Sequence, residues 1–478
     1  MNTAFRAALP ARAFVARAGL ALSTAVAMGS VAAAGTTTEN PSATTPIEQR
    51  LDDLMREVEA LKAELKRMKD QAATPAVTKD TAAPSPDKQQ PAVAAESPRE
   101  SSPLENISLW GYGELYYTRP IHQPQNTQAD LARAVFGIGY TFDDRTLFNS
   151  EYEVEHAVSS ASDVGEFEVE QFYAARKLDE STTLDAGLFL MPFGLLNEHH
   201  EPTQFYGVQR NFVETLVIPS TWREGGLNLK GQTESGFGWN VGLTTGIDLS
   251  KWNFAPEFPL YTNALTLEDN DVAPLQATHQ ELALANASHL SHYVALDYTG
   301  VPGLALGAAI FGGNAASGAL PSGNYRVGLW EAHARWNPGR LDLSALYAHG
   351  SIGNTAGANL ANPGSPNPIP AAFDGYYGQA AYTVWQSGDY RLTPFARWER
   401  YNLGSRYEGS TGPVLPGGSV PLSATPGDYG TWPVNYDRVV TIGANYYLNS
   451  HVVVKLDVQR FQQNTNFDRV DLGLGLNF

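Results

Sequence analysis

Apolar residues fall at every second position in short runs along most of this chain. The last ten residues, RVDLGLGLNF, show it: Val470, Leu472, Leu474, Leu476 and Phe478 alternate with Asp471, two glycines and Asn477. Successive side chains of a strand point to opposite faces, so each run predicts a strand with one apolar and one polar face. In RVVTIGANYYL, Val440, Ile442, Ala444, Tyr446 and Leu448 lie opposite Thr441, Gly443, Asn445 and Tyr447. Strands are predicted at 107–118, 131–142, 146–156, 166–177, 183–190, 222–231, 237–247 and 289–299. Eight more follow at 303–312, 325–337, 340–349, 374–385, 390–401, 436–448, 451–461 and 468–478.

The connections alternate between tight turns (DDR, KLDES, NPGR, QSGD, NSH) and long Pro-, Gly- and Asn-rich loops such as 351–373 and 403–435. About sixteen strands with short turns on one rim and long loops on the other predict an all-β transmembrane barrel of antiparallel strands. A soluble barrel would turn its apolar faces inward, but sixteen strands enclose more space than side chains fill. Aromatics also crowd near strand ends, as at a membrane interface. Lipid outside and water inside is the expectation, with Leu472 to Phe478 facing acyl chains.

Before residue 105 the pattern changes three times. Arg6, Arg12 and Arg17 precede an alanine-rich apolar run ending near Ala34, which predicts a secretory signal over 1–34. Ile47, Leu51, Leu54, Val58, Leu61, Leu65 and Met68 then recur at steps of four and three, the seam of a short coiled coil over 46–69. Residues 70–104 are rich in Ala, Pro, Ser and Gln and nearly free of large apolar side chains, which predicts a disordered linker. The barrel occupies 105–478, with the coil on the periplasmic side.

Composition narrows the function. The chain has no cysteine, so disulfides and thiol chemistry are excluded. Its formal net charge is −18 without a basic patch, which argues against a nucleic-acid partner. There is no G-x-S-x-G elbow, phosphate loop or dinucleotide fingerprint, so no catalytic residue, cofactor or metal centre is assigned and no enzyme is expected.

Several segments are familiar. GYGELYY, SEYEVEHA, GEFEVEQFYA, TIGANYYLNSHVVVKLDVQRF and above all AGLFLMPFGLLNEHHEPTQFYGVQRNFVETLVIPSTWREGGLNLKG resemble the phosphate-selective porin O and P family of bacterial outer membranes. The resemblance runs from about residue 107 to the end. It implies a trimeric, sixteen-stranded porin embedded in outer-membrane lipid and lipopolysaccharide, with a loop within 191–222 narrowing the lumen. The terminal Phe478 is similar to the signal that the barrel-assembly machinery reads. The family draws anions along inward arginines helped by lysines. Here only Lys177, Lys230, Lys251 and Lys455 occur in the barrel, where acidic residues outnumber basic ones nearly two to one.

The candidate pore-lining residues follow from strand faces. Arg133, Arg335, Arg391 and Arg397 share predicted lumen faces with Glu114, Glu331 and Glu399. Glu151, Glu153, Glu155, Glu166, Glu168 and Glu170 sit on one face of two consecutive strands, where like charges opposing each other are costly. Arg133 and Arg176, or a bound divalent cation, could offset them; an ion-pair network, a cation-attracting funnel and a metal site all fit. Arg210 and Arg223 either present guanidinium groups to the lumen or pair with Glu214 and Glu224. NEHHEP, Asn197 to Pro202, reads as a hydrogen-bonded loop, since adjacent histidines on extended chain point apart.

The sequence therefore leads to a porin for passive diffusion of small hydrophilic solutes, ions foremost, with weak anion preference. Alternatives are a carbohydrate-type pore and a structural or adhesive barrel that tethers the envelope.

Overall fold

The computed structural model describes residues 56, 106–158, 165–255, 272–315, 318, 320, 321, 323–413 and 435–478. The predicted signal, coil and linker lie outside them, apart from Arg56.

Seventeen strands follow one another. They are β1 (Ile107–Pro120), β2 (Gln128–Asp143), β3 (Thr146–Glu155), β4 (Phe167–Lys177), β5 (Thr182–Leu190) and β6 (Arg223–Gln232). Next come β7 (Phe237–Thr244), β8 (Ser291–Tyr298), β9 (Leu304–Asn314), β10 (Arg326–Trp336), β11 (Leu341–Ile352) and β12 (Pro370–Tyr382). The last are β13 (Trp385–Ser387), β14 (Tyr390–Tyr407), β15 (Tyr436–Tyr447), β16 (Val452–Phe461) and β17 (Arg469–Asn477). Every pairing is antiparallel, and β13 only prolongs β12 against β14, so the wall has sixteen staves. β17 pairs with β1, Leu115 opposite Leu474, and closes the ring. Closure leaves no free sheet edge.

All sixteen predicted strands are present, most within three residues of the expected ends. Two differ for a visible reason. β14 continues to Tyr407 through turn-prone Asn402 and Gly404, because the first residues of β12 give it a partner. β7 stops at Thr244, short of 247, because Ile247 turns into the interior and is buried there.

The faces are arranged as alternation demands. Leu109, Ile138, Leu227, Val241, Leu296, Ile310, Ile442, Leu456 and Leu472 are exposed on the outside. Exposed aromatics gather at strand ends: Tyr117, Phe142, Phe167, Phe237, Trp336, Tyr382, Tyr390 and Tyr436. The inner face carries Glu114, Arg133, Glu153, Asp185, Glu331, Arg397, Glu399, Asp457 and Asp471, all buried. An apolar exterior and a charged interior is the layout of a barrel solvated by lipid. Among the described residues no helix is long and apolar enough to cross a membrane.

The lumen is not left wholly to water. The segment between β5 and β6 folds inward, and so does the described part of that between β7 and β8. Phe193, Phe212, Val213, Leu216, Val217, Ile218 and Trp222 from the first pack with Ile247, Leu249 and Leu275 from the second. Tyr293, Phe311, Leu329, Leu346 and Phe373 of the wall complete this core. Trp222 lies with its ring centre 5.0 Å from both Phe193 and Phe311. These loops supply the volume that wall side chains alone cannot.

Candidate functional site

The inward loop is built by side chains that satisfy its backbone. After β5 the chain turns at Gly194, whose φ of 72° favours glycine. A Cβ there would stand 2.3 Å from Oε1 of Glu214. That close approach lets the Glu214 carboxylate accept the N–H groups of Leu195 and Leu196, at 2.5 and 2.8 Å. Asn197 joins the two arms of the loop: its amide donates to the carbonyls of Met191 and Trp222 and accepts the N–H of Trp222. Glu214 also accepts from Tyr377 on the wall at 2.9 Å, and burial raises its pKa.

The loop is then fastened across the lumen to the far wall. Arg133 donates to the carbonyl of His200 at 2.6 Å. The N–H of Val208 donates to Asp457 and that of Phe212 to Glu399, each at 2.6 Å. Asn445 donates to the carbonyl of Phe205 at 3.0 Å. The chain returns to the wall at Arg223. In NEHHEP the His199 N–H donates to the carbonyl of Leu196 at 3.0 Å, closing a turn after which His199 is exposed and His200 buried. Burial, with Arg210 and Arg133 near, pushes His200 down to about 3. Neutral His200 donates from Nδ1 to the carbonyl of Asn197 at 2.9 Å. Its Nε2 lies 2.6 Å from the Tyr112 hydroxyl, which is 3.1 Å from Oε2 of Glu170.

Beside this traverse lies a polar recess of about 270 Å³. Glu153, Glu155, Glu166 and Glu168 line it from the wall, Arg210 and Arg223 from the inward loop and its exit, and Lys251, His279 and Glu281 from the second loop. The charges are sorted by depth. Arg133, Arg210 and Arg223 are buried, whereas Glu155, Glu168 and Glu281 are partly exposed and Glu166 and Lys251 exposed. Burial pushes His279 down to about 4, although Glu281 pulls the other way.

The predicted site residues divide accordingly. Arg133, Arg210, Arg223, Glu153, Glu155, Glu166 and Glu168 meet at the recess; Glu114, Glu151 and Glu170 are buried in the wall and do not line it. Arg335, Arg391 and Arg397 lie elsewhere. Arg335 donates Nε to Oδ1 of Asp342 at 3.0 Å, and Arg391 stacks 3.9 Å above the Tyr447 ring. Arg397 donates to Glu399 at 2.9 Å and to the carbonyl of Tyr206 at 3.2 Å. Arg133 holds Glu114 by its Nε at 2.7 Å.

Three of the pairings left open by the sequence do not form. Arg176 does not offset the glutamates: it sits at the exposed β2–β3 turn with Asp143, because its side of β4 faces outward. Arg210 binds Ser220 and Thr221, not Glu214, whose oxygens are taken by backbone N–H groups and side chains. Arg223 pairs with Glu168 and Glu281, not Glu224, which accepts from Trp222 and Thr245. Of the lining residues outside the predicted set, Gln276, His279 and Glu281 come, with Lys251, from a loop without periodicity, whereas Tyr116 lies on β1 and Ser220 and Thr221 on the inward loop.

The glutamate strands are in register, Glu153 directly opposite Glu168. A register shift between Glu151 and Tyr152 leaves Glu170 as an extra residue and sets Gln171 against Glu151. Carboxylate oxygens of Glu153, Glu168 and Glu170 lie within 4.8 Å of one another, and so do ligand atoms of Glu151, Glu170 and His200.

No protein-family model matches the chain. An uncharacterised protein of Aquifex aeolicus (strain VF5) is 28% identical over 313 residues, covering 62% of this chain and 66% of that protein, just under two thirds of its length. Among solved structures, Salmonella typhi OmpF in complex with daunomycin is 13% identical with a TM-score of 0.49 over 78% of this chain and 98% of its own. The anion-selective porin of Comamonas acidovorans is 11% identical with a TM-score of 0.45, over 78% and 99%. The outer-membrane channel DcaP of Acinetobacter baumannii is 12% identical with a TM-score of 0.44, over 78% and 97%. At these values no role is carried over to this chain.

Proposed function

We propose that the protein is an outer-membrane porin through which small hydrophilic solutes diffuse passively, without a catalytic step. The observation that carries this reading is the inversion of the wall. Leu472 and Leu474 are exposed outside, while Asp471 beside them is buried inside. Such faces suit lipid without and a polar passage within.

We further propose a modest preference for cations, in place of the weak anion preference suggested by sequence. Fixed charge acts over about a Debye length, ~8 Å at physiological salt. At the recess the charges nearest water are Glu155, Glu166, Glu168 and Glu281 against Lys251, with Arg133, Arg210 and Arg223 behind them. The arginine ladder implied by the family resemblance finds no support here, because Arg133, Arg335 and Arg397 each hold a carboxylate. A carbohydrate slide gains little either, since Trp330, Trp336 and Trp398 are exposed on the outer face. The test is conductance and reversal potential of the purified protein in planar bilayers under a KCl gradient. Open channels with a potassium-to-chloride permeability ratio above one are expected. A closed barrel would overturn the porin reading, and a ratio below one the sign.

A further inference from the structure

We infer that Glu153, Glu168 and Glu170 form a binding site for one calcium ion in the lumen wall. Glu153 and Glu170 are almost wholly buried, 2% and 0% exposed. Oε1 of Glu153 and Oε1 of Glu170 each lack a hydrogen-bond partner. Leaving a buried carboxylate oxygen unpaired is costly, and a charged one more so. Each of these two residues has an oxygen within 4.8 Å of one on the other and of one on Glu168, which stands across the strand pair from Glu153.

Among the described residues, no arginine is hydrogen-bonded to Glu153 or Glu170. Arg133 gives Nε and Nη2 to Glu114 and the His200 carbonyl, and its Nη1 has no hydrogen-bond partner. Arg223 reaches Glu168 but is shared with Glu281. His200 stands 3.7 Å from Oε1 of Glu170, too far for a hydrogen bond, and its Nδ1 proton is used by Asn197. The cluster therefore gathers three carboxyl groups whose oxygens protein groups satisfy only in part.

The donor set favours calcium. Oxygens that all lie within 4.8 Å of one another can share one ion through Ca–O bonds of about 2.4 Å, and calcium tolerates irregular all-oxygen shells. Magnesium demands a tighter octahedron at about 2.1 Å. Glu153 and Glu168 also line the recess, which supplies an entry path and room for the waters that complete the shell. The neighbouring group of Glu151, Glu170 and His200 shares Glu170 with the site and positions it through Tyr112.

The test uses the folded protein in detergent, its fold checked by heat-modifiable mobility, after removal of divalent ions with EDTA. Equilibrium dialysis with radioactive calcium should find one saturable site per chain, with a dissociation constant of roughly 10⁻⁵–10⁻³ M. Glu153→Gln and Glu170→Gln should each weaken it at least tenfold, while Glu180→Gln, at the exposed β4–β5 turn, should not. If the glutamine variants fail to fold, the urea midpoint of the wild type is measured with and without 10 mM calcium, and a rise is expected. No saturable binding, equal affinity in all variants, or an unmoved midpoint would overturn the site. The readout needs no conductance, so a closed barrel would leave this inference standing.

Discussion

Arg397 and Glu399, two residues apart on β14 and therefore on one face, form a buried pair with Nε 2.9 Å from Oε1. The second oxygen of Glu399 accepts the N–H of Phe212, so this pair is also a fastening point of the inward loop. Removing one partner of such a pair typically costs 3–5 kcal/mol, because the other charge stays buried. Arg397→Ala should lower the urea midpoint and raise single-channel conductance as the loop loosens. Unchanged values for both would mean that the remaining anchors suffice.

Charge at the recess should set selectivity. Replacing Glu155, Glu166 and Glu281 together by Gln should move the permeability ratio toward chloride, by severalfold at low salt and less above about 1 M, where the Debye length is only ~3 Å. Arg335→Glu, outside the recess, should shift the reversal potential less. A larger effect from Arg335 would relocate the controlling charges.

The closing seam should be sensitive to bulk. Gly111 exchanges two backbone hydrogen bonds with Phe478, at 2.9 and 3.2 Å. A Cβ on Gly111 would stand 2.7 Å from the carbonyl oxygen of Val135 and 2.6 Å from Cζ of Phe478. The ring can move, but the backbone oxygen cannot without disturbing the β1–β2 ladder. Gly111→Val and deletion of Phe478 should both lower the yield of heat-modifiable barrel. Wild-type yields in each would show that closure does not depend on this seam.

Trp222 is fully buried between Phe193 and Phe311. Truncating a core tryptophan to alanine commonly costs 3–5 kcal/mol. Trp222→Ala should lower the denaturation midpoint by a corresponding amount and broaden current noise. A midpoint within error of wild type would show that the loop core adds nothing to stability.

His279 gives a pH dependence. Its folded pKa is near 4, against about 6.5 when unfolded. Between those values the unfolded chain binds more protons, so stability falls as pH drops from 6.5 toward 4. His279→Gln removes that linkage, and its urea midpoint relative to wild type should rise over the same interval. A constant difference from pH 7 to 4 would refute the assignment.

The wall was legible because a strand that parts lipid from a polar interior must alternate. The run from Val470 to Phe478 already encodes which side faces which. Arg133, Glu153 and Glu168 were placed on the inner face for the same reason. What they would touch was not legible. That Arg133 takes Glu114, and that Glu153 meets Glu168, depends on register, and shifts beside Glu114 and Glu151 alter it in ways local composition does not announce. Lys251, His279 and Glu281 were missed because loops carry no period. The apolar residues of VQRNFVETLVIPSTW were visible, but the wall they pack against is dozens to hundreds of residues away.

Those distances have a consequence for assembly. Val208 is tied to Asp457 across 249 positions and Phe212 to Glu399 across 187. The loop is synthesised before the strands that receive it exist, and no nearby sequence can substitute for them. Contacts of such high sequence separation come late, after the entropy of closing a long loop has been met. Until β14 to β17 take their places, the apolar face of 212–222 lacks its full covering, so the unfinished barrel exposes a sticky surface whose shielding requires the end of the chain.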